Sequence, residues 1–328
     1  MPHRLPTPFE LVDFFARATR GGPRPLPIAD TAPDPGLFGP GTVTWAVMKE
    51  PVLILGGGRA LLMQAAHPLI AQGAIDHSTY ATDPFGRLDR TLVWVVSVTF
   101  GTRREARAAT REVNRLHAAV SGTLPGPHAT APVPAGAAYT ATDPELLLWV
   151  HATFVDTMLA THDAFVGTLA DTERDTFVRE WHAVARLMGV PARRLWHNAG
   201  ELRAYVSEQT ESGPVQPGPG SRRVAETVVH PPLPSPWLRP PWEAVAFATV
   251  GLLPATVRRG YGFPWTAAHE ATHGALRLGL RRMRTVLPER LRSSPVHDFA
   301  QARVAGRLAA PPRVPSPATT RRRRSEAA

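Results

Sequence analysis

The chain has 328 residues, 43% of them apolar and 20% charged, which is the composition of a globular protein long enough for one large or two ordinary domains. It contains no cysteine, which excludes a disulfide framework, an iron–sulfur cluster, Cys-ligated zinc, thiolate-ligated or covalently attached haem and a cysteine nucleophile, and leaves any metal to histidine or oxygen. The net charge of +10 is gathered in the last third, because residues 1–210 hold 19 basic and 20 acidic groups against 18 and 7 in 211–328; that distribution argues against a nucleic-acid-binding core.

Residues 1–20 form a charge-broken amphipathic helix pattern with no apolar signal-type run, and no later apolar run reaches the about 20 residues that span a bilayer. The expectation is a cytoplasmic protein. A Pro/Gly-rich stretch at 21–41 separates this helix from the body, and a second at 213–220 interrupts it. Between these breaks, segments 59–67, 86–100, 103–120, 144–170, 172–188, 198–210, 241–253 and 266–286 carry apolar residues at three- and four-residue spacing. The fold class expected is all-α: an N-terminal helix and linker over 1–40, a single large helical domain over 41–292, and a basic, largely disordered tail over 293–328 that ends in Arg321 to Arg324.

Three glycines, Gly56 to Gly58, fail the dinucleotide pattern because Leu61 stands where its third glycine belongs and no lysine follows; they read as a turn. The short apolar helix 59–67 is expected to end at Pro68, leaving His67 at a helix end, either reaching outward or simply favoured there by the dipole. Asp83-Pro84 and Asp143-Pro144 are near-duplicate helix starts, an aspartate cap followed by a proline with no N–H to lose. The first launches a helix with Arg87, Thr91, Trp94, Val95 and Val98 on one face; its buried arginine must meet a carboxylate or face a pocket. From the second cap, an apolar face of Leu147, Leu148, Phe154, Val155, Met158 and Leu159 carries His151 in its middle, as a hydrogen-bonded core residue or as a ligand.

Along 241–253, Trp242, Val245, Phe247, Val250, Leu252 and Leu253 could be core or the lining of an apolar entry, and Arg239, Arg258 and Arg259 could be a solvated face or a peripheral membrane contact at roughly 1 kcal/mol per basic residue. His269-Glu270-x-x-His273 is a literal zinc-peptidase pattern with no third ligand at a familiar spacing, and a zinc metallopeptidase is the less favoured alternative.

Taken in order, Leu-Leu-Met-Gln-Ala-Ala-His-Pro at 61–68, Asp76-His77-Ser78, Asp-Pro-x-x-Arg-Leu-x-Arg-Thr at 83–91, Phe100-Gly101-Thr102, the cap at 139–144 and Leu148-Trp149-Val150-His151 resemble the MpaB-like oxygenase family that includes the rubber oxygenases. The likeness covers roughly 41–292. It implies an all-helical domain that binds haem b through one proximal histidine, corresponding to His151, and an oxygenase acting with dioxygen on an apolar, isoprenoid or lipid-like substrate. In the rubber oxygenases an arginine and a threonine four residues apart lie near the haem, with a lysine before the threonine; Arg87, Arg90 and Thr91 hold the matching places here. Arginine at 90 removes a distal-ligand role, since a guanidinium has no lone pair for iron. The resemblance therefore implies Arg87 and Thr91 as catalytic groups and His151, Arg90, His67 and Phe154 around the cofactor. The competing class is a haem-binding or gas-sensing protein without turnover.

Overall fold

The computed structural model describes residues 28–233 and 235–308; the helix expected in 1–20 and the Arg321 to Arg324 run lie outside the described residues. The architecture is all-α. In chain order the helices are α1 (Val43–Met48), α2 (Gly57–Ala65), α3 (Pro68–His77), α4 (Pro84–Phe100), α5 (Arg103–His117), α6 (Pro144–Phe165), α7 (Asp171–Glu180), α8 (His182–Met188), α9 (Ala199–Glu211), α10 (Pro219–Val229), α11 (Arg239–Gly251), α12 (Ala255–Tyr261), α13 (Ala267–Val286) and α14 (Pro295–Val304). A 3-10 turn at Pro51–Gly56 precedes α2, and a two-stranded antiparallel hairpin, β1 (Ser121–Thr123) with β2 (Ala138–Thr140), joins α5 to α6 in the register Ser121 opposite Thr140.

The centre of the molecule is α6. Its sequence is apolar almost all round, and such a helix is stable only when surrounded. Neighbours cover it on several sides: α2 and the 3-10 turn, α13, α9, α8 and α1. Leu147, Leu148, Trp149, Val155, Met158 and Leu159 enter one continuous core with Leu62 and Met63 of α2, Phe177 of α7 and Trp181 at its end. The capping aspartates act as expected, Asp143 accepting from the Glu145 N–H and Asp83 from the Gly86 N–H.

Three expectations change. Pro68 begins a helix rather than only ending one: α2 stops at Ala65, and His67, extended at φ −79° and ψ 119°, caps α3 with its Nδ1 accepting from Leu69 N–H at 3.3 Å. The break at 213–220 is entered by α10, whose first residue is Pro219. The tail boundary at 292 also falls too early, because Ser294 caps α14, whose Val296 and Ala300 pack with Ile28, Trp45, Val96 and Phe100.

The three glycines owe their place to close packing. A Cβ on Gly56 would lie 2.3 Å from Thr161 Oγ1 of α6, and one on Gly58 would lie 2.6 Å from Thr249 Oγ1 of α11. Beside them, the buried Arg59 side chain donates to Asp156 (2.6 Å), to Thr157 Oγ1 and to the Leu252 carbonyl, tying α2 to α6 and α11. Among the described residues no helix is long and apolar enough to cross a membrane.

Candidate functional site

Where α2, the 3-10 turn, the start of α4, α11 and the C-terminal half of α13 converge, they leave a cavity of about 440 Å³. Its volume lies within the about 300–1,000 Å³ of small-molecule sites. The lining is mainly carbon, from residues such as Leu61, Phe85, Leu88, Trp242 and Val245. The two readings of 241–253 are thus both realised on different faces, since Trp242 and Val245 line the cavity while Val250 and Leu253 are core.

Arg87 is the sequence-predicted site residue on this cavity. Its Nε donates to Ser78 Oγ at 3.0 Å, and among the described residues no carboxylate pairs with it. Burial, and then the neighbouring Arg90, lower its pKa. Of the two environments the sequence allowed, carboxylate or pocket, the structure gives the pocket. The Asp-His-Ser motif explains how Arg87 is held. Asp76 accepts from Tyr139 Oη (2.5 Å) and Gln72 Nε2, His77 Nε2 meets the Ser121 carbonyl, and Ser78 receives Arg87, so the end of α3 joins the hairpin to α4.

The other predicted residues lie off this cavity. Thr91 is exposed and its hydroxyl donates back to the Arg87 carbonyl at 3.1 Å, as helical threonines commonly do. Arg90 is exposed as well, donating to Thr79 Oγ1 and standing 3.6 Å from Asp83. His67 is buried in its capping position, and desolvation lowers its pKa to about 4. Phe154 is half-buried and packs on Trp181 with ring centroids 4.7 Å apart.

His151 is 3% exposed, one turn before Phe154, and its ring stacks parallel to Trp196 at 6.3 Å. Burial, followed by the nearby His182, drives its pKa down to about 3. The imidazole is therefore neutral at physiological pH, and it makes no hydrogen bond to the described residues. That state is the one a haem iron requires of its ligand, an available nitrogen lone pair in apolar surroundings, so the donor fits. A partition separates it from the cavity. In α2, Leu61 lines the cavity while the Met63 carbonyl accepts from Trp149 Nε1 of α6, placing the helix between the cavity and the half of α6 that carries His151.

The zinc reading is corrected. In α13, His269 Nδ1 is taken up in the cap with Thr266, Glu270 accepts from Trp265 Nε1 at 2.7 Å, and His273 is buried among Phe165, Phe247 and Trp265. Among the described residues no group of three histidine, aspartate or glutamate side chains comes together to hold a metal ion, whereas a catalytic zinc takes three protein ligands. Of the three arginines considered for a membrane face, Arg258 lies over the Trp265 ring at 4.2 Å, while Arg239 and Arg259 are exposed.

Sequence reasoning missed the rest of the polar lining. Glu50 and Arg284 meet in a 2.6 Å ion pair across 234 residues. No local pattern signals such a pairing. Against known proteins, a family model described as the ER-bound oxygenase mpaB/B'/rubber oxygenase catalytic domain matches residues 45–287, which is most of the chain. No curated protein and no solved structure matches it.

Proposed function

The chain belongs to the family of mpaB and rubber oxygenase catalytic domains, and from that premise we propose that it is a haem-b-dependent oxygenase acting on an apolar small molecule, with His151 as the iron ligand. The family reading brings with it dioxygen and a small-molecule substrate. The observation that carries the cofactor assignment is the buried, neutral, unengaged imidazole of His151 in a chain without cysteine. Haem b, when bound, would supply the activation of dioxygen.

The chain's own contributions are these. Trp196 lies parallel to the His151 ring with flat apolar surface, and Phe154, one turn further along α6, packs on Trp181. Arg90, exposed and only loosely paired, suits a carboxylate such as a haem propionate at the protein surface. Arg87 gives the apolar cavity on the other side of α2 a fixed positive charge. The distal pairing of Arg87 with Thr91 is not part of the proposal, because the Thr91 hydroxyl is occupied by the helix backbone.

Expression with haem supplementation, followed by an absorption spectrum and metal analysis, tests the assignment. The expected result is a Soret band that survives purification and disappears in His151→Ala. Oxygen-dependent product formation then distinguishes an oxygenase from a haem-binding or gas-sensing protein without turnover. Protein that takes up no haem under these conditions, or whose Soret band is unchanged in His151→Ala, overturns it.

A further inference from the structure

We propose that the cavity binds a long apolar chain ending in a carboxylate, with the chain along the α2 and α11 walls and the carboxylate on Arg87. Because α2 separates the cavity from His151, this is a binding site of the chain that goes beyond the function proposed above and does not depend on it. The argument begins with an imbalance. A guanidinium withdrawn from water is costly unless a negative group meets it. Arg59 pairs with Asp156, Arg174 with Asp163 and Arg284 with Glu50, and even the fully buried Arg303, two of whose nitrogens lack a hydrogen bond, has Glu105 at 3.8 Å. Arg87 spends one donor on Ser78, and its two terminal nitrogens bond no described residue. It does so on the wall of a cavity whose remaining surface is mostly carbon.

A fully apolar ligand would leave that cation unsatisfied. One bearing a carboxylate would supply a charge-assisted, bidentate partner, the geometry for which arginine is suited. Arg292, at the turn after α13, also lines the cavity with its Nε on the Leu287 carbonyl and no carboxylate, and is the second cation that a carboxylate could meet. It therefore serves as the internal comparison.

The full-length chain, with its haem content recorded, is titrated calorimetrically with palmitate and with 1-hexadecanol, which share a chain and differ in charge. The expected result is palmitate binding at least tenfold tighter than hexadecanol. Arg87→Met should abolish this preference while retaining hexadecanol binding, Arg87→Lys should restore part of it, and Arg292→Met should leave it within threefold. Equal binding of acid and alcohol by the natural chain overturns the proposal, as does a preference that survives R87M or is carried by Arg292. Should R87M not fold, the preference of the natural chain and its loss in Ala246→Trp, which fills the cavity, still decide the matter.

The same experiment separates the two readings. If R87M loses the Soret band but keeps the palmitate preference, the guanidinium serves a haem propionate and the proposed ligand site falls while the haem assignment stands. A palmitate preference in protein that takes up no haem upholds the site and overturns only the haem assignment.

Discussion

At the scale of single residues, burial decides what the histidines can do. An imidazole in water binds a proton near pH 6.5, but the folded chain holds His151 down to about 3 and His67 down to about 4 by desolvation. Both are therefore protonated more readily in the unfolded chain. Their stabilising effect is complete above pH 6.5 and drains away as the pH falls toward those lower values. For His151 the loss between pH 7 and pH 4 amounts to about 3 kcal/mol. Urea unfolding of the haem-free chain at the two pH values measures it, and His151→Leu should flatten the difference by a similar amount; an unchanged slope would place the protonation elsewhere. The sequence marked His151 by its position in an apolar stripe, and the structure makes that position deeply buried. It did not reveal that His67 is a cap, because Pro68 is equally compatible with the end of one helix and the first turn of the next. Only the extended backbone at His67 decides between them.

At the scale of elements, α2 and the 3-10 turn before it are the piece on which the cavity depends, and their glycines are not equivalent. Gly56 and Gly58 face Thr161 and Thr249 at less than bonding-group clearance, whereas a Cβ on Gly57 would meet nothing within 4 Å. Gly57→Ala should therefore be neutral or stabilising by up to about 1 kcal/mol through helix propensity. Gly56→Ala should cost about 1–3 kcal/mol by forcing α2 away from α6. Thermal unfolding of the two variants side by side tests this, and equal effects would refute the packing account. The Arg59 cluster makes the complementary prediction. Removing Asp156 strands a buried guanidinium, so Asp156→Ala should cost about 3–5 kcal/mol, and Arg59→Met combined with Asp156→Leu should recover much of that loss. Denaturant midpoints of the single and double variants give the coupling. The helices themselves were largely legible, since three- and four-residue spacing reports which side of a helix is covered. What covers it was not, and α4 shows the consequence: Thr91 shares a predicted stripe with Val98, yet it is exposed while Val98 is fully buried.

At the scale of the whole molecule, contacts between distant parts of the chain close the structure. Glu50 and Arg284 pair on the cavity wall, and Arg303 of α14, fully buried, donates to the Phe100 carbonyl at 2.7 Å. Reading the region after 292 as a tail followed from its composition, rich in arginine, proline and serine, and composition says nothing about a docking surface elsewhere. That surface is the cluster of Ile28, Trp45, Val96 and Phe100, which α14 covers with Val296 and Ala300, while the His297 ring packs against Trp45 at 5.4 Å. A chain ending at Arg292 would leave these side chains in water. Since each buried aliphatic or aromatic residue contributes about 1.5–3 kcal/mol, the truncated protein should lose several kcal/mol and its Tm should fall by about 5 °C or more. Arg303→Leu provides the control within the helix. It removes an incompletely satisfied buried charge, two of whose nitrogens have no hydrogen bond, but leaves the Phe100 carbonyl without its donor, so its cost should be well below that of truncation. If truncation and R303L unfold at the same temperature as the intact chain, α14 is an appendage and the folded unit ends at 292. If truncation alone is severe, the apolar face of α14 completes the domain that holds the cavity and His151.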